Sequence, residues 1–145
     1  MNIKYKKLNE LAKVPTRGSE SAAGYDLYAA TEDKIVVYPH STLMISTGLS
    51  LELPEGHFGA IFARSGLASN KGLRPANCVG VVDSDYRGEV KVALHNDTDL
   101  VQSFEAGDRI AQLVLLPYVE MIFVETEELT ETERGEDGFG STGTN

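Results

Sequence analysis

Asp83 and Asp85 close the apolar run Val79-Gly80-Val81-Val82 and are followed by Tyr86, Arg87 and the turn residue Gly88. Beyond them, Glu89 to His95 reads as an alternating polar and apolar strand. This pattern predicts a hairpin: two extended arms around a turn, with a backbone edge whose N–H and C=O groups can read a flat polar ligand. An acid stands at its mouth. A carboxylate with the usual pKa of about 3.9 is ionised at pH 7 but is a weak base, so it must act largely through positioning.

Four other places carry candidate chemistry. In Arg64-Ser65-Gly66, Ser65 is expected to N-cap a short helix ending near Gly72. Free N–H groups and Arg64 at that start would favour an anion, although an ordinary capped helix with a surface arginine has the same sequence. Asp26, between Tyr25 and Tyr28, is either a turn acid holding backbone N–H groups or a functional group. Gln112 is the one polar member of its face of an apolar strand and needs partners for its amide, whether as a core glutamine or as a ligand contact. Residues 134–145 combine Arg134, Phe139, four glycines and three hydroxyls. They suit an arm that wraps phosphates and stacks on a base, or a plain disordered tail. Ser141 stands where a Walker loop requires lysine.

The elements that must position these groups are strands. Leu49, Leu51 and Leu53 alternate with Ser50 and Glu52 at a period of two, and Pro39, Gly48 and Pro54-Glu55-Gly56 punctuate the chain. The sequence predicts strands over Ile3 to Lys6, Ile35 to Tyr38, Thr42 to Thr47, Leu49 to Leu53, Phe58 to Ala63, Leu100 to Phe104, Asp108 to Pro117 and Tyr118 to Val124. Leu8 to Val14 allows at most two helical turns before Pro15. Strands at such short intervals predict an all-β sandwich, barrel or jelly roll. Arg109 to Leu116 is apolar on both sides, which places it in the middle of the fold or against another subunit.

With 145 residues and 41% hydrophobic content, one compact β domain over residues 1–124 is expected, with residues 125–145 as a flexible arm. The formal charge is −9. Residues 120–145 hold eight acids against Arg134 alone, a net of −7, which leaves 14 acids and 12 bases, a net of −2, for the rest. A nearly neutral body with an acidic tail argues against duplex nucleic-acid binding. The absence of a long apolar run or a signal-like start points to a cytoplasmic protein that engages no membrane. Cys78, the single cysteine, excludes internal disulfides and thiolate metal frameworks.

Five stretches taken together resemble the ordered motifs of the homotrimeric dUTPases: Ala23-Gly24-Tyr25-Asp26-Leu27, Arg64-Ser65-Gly66, Gly80-Val81-Val82-Asp83-Ser84-Asp85-Tyr86, Gly107-Asp108-Arg109-Ile110-Ala111-Gln112, and Arg134 to Gly143. Each alone is weak; five in order are specific. The resemblance implies a jelly-roll-like fold, three active sites at subunit boundaries, and Mg²⁺-dependent hydrolysis of dUTP to dUMP and pyrophosphate. That reaction would limit uracil incorporation into DNA and supply dUMP for dTMP synthesis.

The same resemblance assigns residues. Uracil would lie against Asn77, Gly80, Val81 and Val82, with Lys91 on the returning strand, and Tyr86 would lie against the deoxyribose. Asp83 would orient and deprotonate the water that attacks the α-phosphorus. Arg64, Ser65 and Gly66 would bind phosphate oxygens, with Gln112 beside the phosphates and water. Arg134, Ser141 and Thr142 would hold the γ end, Gly140 would contact the substrate, and Phe139 would stack on uracil. Mg²⁺ would rest on the substrate phosphates and water, with Asp26 at most an indirect, water-mediated partner. Only the family pattern prefers Asp83 to Asp85. The dCTP deaminases share the fold but need a glutamate on the returning strand, where this chain has Val90-Lys91-Val92-Ala93-Leu94. A nucleotide-sensing protein or a purely structural β trimer would each leave part of the constellation without a purpose.

Overall fold

The computed structural model describes residues 1–138. In chain order the elements are β1 (Lys4–Lys7), β2 (Thr16–Arg17), β3 (Tyr25–Tyr28), β4 (Ile35–Val37), β5 (Thr42–Glu52), β6 (His57–Phe62), α1 (Ser65–Lys71), β7 (Leu73–Pro75), β8 (Gly80–Val82), β9 (Val90–Asn96), β10 (Gln102–Phe104) and β11 (Arg109–Pro117). A four-stranded sheet in the order β1-β5-β9-β7 and a five-stranded sheet in the order β2-β3-β11-β6-β8 form the two main layers, with a small β10-β4 pair. This is the expected all-β, jelly-roll-like fold with one short helix.

Alternation builds the core. On β9 the pattern buries Val90, Val92 and Leu94 while Lys91 faces solvent. Leu49, Leu51 and Leu53 are buried on β5 and just beyond it, and Leu27, Ile61, Val82, Ile110 and Ala111 meet Leu51 and Leu53 in one cluster. Asn96, fully buried, is satisfied by donating to the carbonyls of Val37 (3.1 Å) and Leu100 (2.7 Å).

Four local expectations change. The two strands anticipated on either side of Gly48 are the single strand β5, whose register with β9 shifts between Ser46 and Leu49. Gly48 takes φ +66° at this irregularity, a conformation that favours glycine, so the chain kinks without ending the strand. Leu8 to Val14 makes turns rather than helix, with Ala12 buried. No strand forms over Tyr118 to Val124: both sides of β11 are already paired, to β3 and β6, and the ladder stops at Pro117 opposite His57. Val119, Ile122 and Phe123 are consequently 85%, 86% and 88% exposed.

The fourth change concerns the hairpin. β8 and β9 do not pair; they belong to different layers. β9 has both sides occupied, by β5 and β7, whereas β8 pairs only with β6 and ends its sheet. Residues 83–89 are therefore a crossing between layers, and the unpaired backbone edge belongs to β8 alone.

Candidate active site

β11 crosses the centre of the five-stranded sheet and sets Gln112 opposite Asp26 on β3 and Phe62 on β6. Asp26 is 9% exposed and carries two guanidinium groups. Arg64 Nε donates to its Oδ1 at 2.8 Å, and Arg109 Nη1 donates to its Oδ2 at 3.2 Å. A buried carboxylate requires such partners, and two of them leave the cluster with an excess positive charge. Because Arg64 uses Nε here, its two terminal nitrogens are left for an anion among the described residues. Gln112 Nε2 donates to the Ala63 carbonyl at 2.8 Å. A Cβ on Gly24 would collide with Gln112 Oε1 and lie 3.1 Å from its Cδ, so glycine is what lets this amide occupy its place.

Arg64 itself is the N-cap, in extended conformation at ψ 132°, and no side chain caps the helix. Ser65 is therefore not the cap that the sequence predicts; it is the first helical residue, exposed beside Gly66, and accepts from the Ser69 hydroxyl through its carbonyl. The shift has a physical reason: the Arg64 carbonyl already accepts the first helical bonds, from Leu67 and Ala68 at 3.0 Å each.

At the other end of the sheet, Val81, Asp83, Ser84 and Asp85 line an open depression of about 580 Å³ with Phe58 and Tyr118. Gly80 and Val82 turn into the core and Val81 turns out, 61% exposed. Asn77 is exposed before β8, its amide nitrogen 3.2 Å from where a Gly80 Cβ would stand. Cys78 adopts φ +61° in the turn closed by its N–H to the Pro75 carbonyl at 3.0 Å. Below this turn, Arg74 on β7 forms two bonds with Asp97, 2.7 and 2.9 Å, which hold its guanidinium pKa above the ordinary value.

Tyr86 closes a turn by donating its N–H to the Asp83 carbonyl at 3.2 Å, and its hydroxyl donates to the Glu89 carbonyl at 3.0 Å. Lys91, exposed on β9, pairs with Glu89 at 3.4 Å. Arg134 bends back on its own turn, its Nε donating to the Asp137 carbonyl at 2.8 Å. Phe139, Gly140, Ser141 and Thr142 lie outside the described residues.

The structure thus brings Asp26, Arg64 and Gln112 together, and separately Val81 with Asp83. The two groups are not adjacent within one chain. Val82 lies opposite Gly59, so Asp83 follows into the row of Phe58, and Arg64 is six residues further along the chain direction of β6, about 20 Å at the usual 3.3 Å rise. Sequence reasoning gives no individual role to Arg109, Gly24 or Gly88. The signal for Arg109 is nonetheless present: a buried acid in an apolar sheet must find cations, and Arg109 begins the strand that pairs with it.

Among the described residues no three His, Cys, Asp or Glu side chains converge to hold an ion. Asp26, with both oxygens already accepting, fits at most an outer, water-mediated contact to a metal.

Comparison with known proteins adds a further finding. The family model described as dUTPase matches residues 10–143. The deoxyuridine 5'-triphosphate nucleotidohydrolase of Hydrogenobaculum sp. is 44% identical over 143 residues, 99% of each chain. That of Yarrowia lipolytica is 48% identical over 147 residues, covering 100% of this chain and 91% of the relative. Among solved structures, a mutant Staphylococcus bacteriophage 80alpha dUTPase with dUpNHpp superposes with a TM-score of 0.89 at 29% identity, covering 99% of both chains. A mutant dUTPase from phage phi11 of S. aureus, described with a structural Mg(II) ion, shares the fold at a TM-score of 0.81 and 24% identity, over 90% of this chain and 100% of that one.

Proposed function

The chain belongs to the dUTPase family, and we propose that it hydrolyses dUTP to dUMP and pyrophosphate with Asp83 aiming water at the α-phosphorus. The observation that carries this reading is the pair of complementary half-sites: an acid at the free edge of β8, and a cationic cluster at Asp26, Arg64 and Arg109. Uracil presents an N3–H donor and an O4 acceptor, which backbone groups from Asn77 to Val82 can match and cytosine cannot satisfy. A close-fitting backbone edge also leaves no room for a thymine methyl. Lys91 stands on β9, the next strand in the chain but in the other layer, and the Tyr86 ring would meet a ribose 2′-hydroxyl.

Asp83 is exposed, so its carboxylate holds and orients the attacking water and contacts the sugar 3′-hydroxyl rather than acting as a strong base. Arg64, with Ser65 and Gly66, receives phosphate oxygens through the terminal guanidinium nitrogens that Asp26 leaves unused. Gln112 presents its Oε1 beside them, steadied by the Ala63 carbonyl. Mg²⁺, carried by the triphosphate and water, would supply neutralisation of phosphate charge, consistent with the absence of an acidic cage among the described residues. Residues 125–145 act as an arm on the domain of residues 1–124: Arg134, Gly140, Ser141 and Thr142 engage the γ end, and Phe139 stacks on the base.

A homotrimer completes the site. Asp83 and Arg64 of one chain are about 20 Å apart along the direction of β6 and cannot engage the same phosphate group, so the half-sites must meet across copies. The uncovered apolar residues at 119 and 121–124 and the partly exposed outer side of β11, Val114 and Leu116, supply contact surface. No helix among the described residues is long and apolar enough to cross a membrane, and neither membrane nor nucleic acid enters the reading. In a cytoplasmic setting the reaction would keep uracil out of DNA and provide dUMP for dTMP synthesis.

The test is pyrophosphate release from dUTP, dTTP, dCTP and UTP, with and without Mg²⁺, by the natural chain and by Asp83→Asn. The expected result is turnover of dUTP alone, dependent on Mg²⁺, and its loss in the variant while nucleotide binding persists. Substantial residual kcat in Asp83→Asn would refute the role of that carboxylate.

A further inference from the structure

The crossing between the two layers contains a glycine whose purpose is not conformational. Gly48, Gly56, Gly72, Gly107 and Gly135 take positive φ, whereas Gly88 does not. An alanine would fit the backbone of residue 88. What it would not fit is the neighbouring ring: a Cβ built there falls against the Tyr86 hydroxyl, 2.5 Å from Cζ and 2.9 Å from Cε2. Those separations are shorter than carbon atoms accept, so the ring would have to leave.

The ring is otherwise tied in place. Tyr86 Oη donates to the Glu89 carbonyl at 3.0 Å. The residue that offers this carbonyl is itself anchored, since Glu89 Oε1 accepts the Gly48 N–H at 2.9 Å where β5 kinks. Arg87 Nη1 donates to the carbonyls of Ser84 at 2.7 Å and Tyr86 at 3.0 Å, and the Arg87 carbonyl accepts the Ser50 hydroxyl at 2.7 Å. The outcome is an aromatic plate folded back over Gly88 and still 46% exposed. Its own bond runs to Glu89, and residues 87 and 89 are in turn fastened to β5.

We propose that Gly88 is a positioning residue for sugar selectivity: the absence of a side chain there lets the Tyr86 ring lie down as the surface against which a deoxyribose fits and a ribose 2′-hydroxyl clashes. The proposal rests on the reading of Tyr86 given above and adds the residue that sets the ring's height. Excluding one hydroxyl by shape is worth roughly a hundredfold at most in a pocket that makes no bond to it, so a ring displaced by an ångström or more forfeits a large part of that ratio. Loss of about tenfold in the preference is the expected scale.

The experiment compares kcat/KM for dUTP and UTP in the full chain and in Gly88→Ala, Tyr86→Ala and the double variant, with melting temperature as a control for folding. Gly88→Ala is expected to melt like the parent and to lower the dUTP-to-UTP ratio by about tenfold, mainly by raising kcat/KM for UTP. Tyr86→Ala should lower the ratio at least as far. Because Gly88 acts through the ring, alanine at 88 should change nothing further once the ring is gone. If Gly88→Ala keeps the parental ratio while Tyr86→Ala loses it, the assignment of Gly88 is wrong and the reading of Tyr86 stands. If Tyr86→Ala itself keeps the ratio, the reading of Tyr86 fails and takes this inference with it. A further drop in the double variant below Tyr86→Ala would also overturn the proposal, since Gly88 would then act independently of the ring.

Discussion

Replacing Asp26 by asparagine keeps the side-chain volume but removes the charge that two arginines share. The carboxylate accepts Arg64 Nε at 2.8 Å and Arg109 Nη1 at 3.2 Å, one on each oxygen. Asparagine has a single acceptor oxygen, and its NH₂ must then face one guanidinium, donor against donor. A hydrogen bond to a charged group contributes about 1.5–3 kcal/mol when sheltered. Arg64, with 26% of its side chain exposed, lies toward that range. The Arg109 contact is longer and its side chain is half exposed, so solvent screening holds it below about 1 kcal/mol. The sum is about 2 kcal/mol. For a chain of this size that lowers the melting temperature by about 6 °C. Function should change in step, because Arg64 would no longer be held by Nε with its terminal nitrogens outward. Lost ground-state and transition-state contacts of equal strength raise KM and spare kcat, and a KM for dUTP about tenfold higher is expected. Differential scanning calorimetry and steady-state pyrophosphate assays decide the matter. An Asp26→Asn protein that melts within about 1 °C of the parent and keeps its KM would show that the carboxylate does not set Arg64.

Sedimentation of the active protein should give three chains, because the half-sites of one chain are about 20 Å apart, and a stable, active monomer would contradict the reading. Deletion of residues 134–145 should cost most of the turnover and leave the melting temperature unchanged, since Arg134 is exposed and, among the described residues, bonds within its own turn; undiminished activity would remove the arm from the mechanism.

Much of the architecture can be read from period-two alternation, because burial on one side of a strand leaves a direct trace in residue type. Leu49, Leu51 and Leu53 are an example: all three are buried. Pairing leaves no such trace. Val81 and Lys91 sit on strands that look like adjacent arms in sequence, yet their layers differ, because β5 and β7 take both sides of β9. The apolar run at residues 118–124 misleads for the same reason, since composition suits a strand whether or not an edge is available to receive it. Asp26, Arg64 and Gln112 are each visible as isolated signals, but their convergence is a fact of register across β3, β11 and β6. Arg109 escapes notice because its role is relational, the pairing of a buried acid, and Gly88, readable in sequence only as a turn residue, carries no trace there of the ring that lies over it.

The passage from Val82 to Val90 joins one layer to the other, and the acid and ring read as handling the nucleotide both hang from that span. A bridge between two slabs senses their sliding. Sliding of one layer over the other would pull on the span that carries Asp83 and Tyr86, which are held together in one turn by the bond from the Tyr86 N–H to the Asp83 carbonyl.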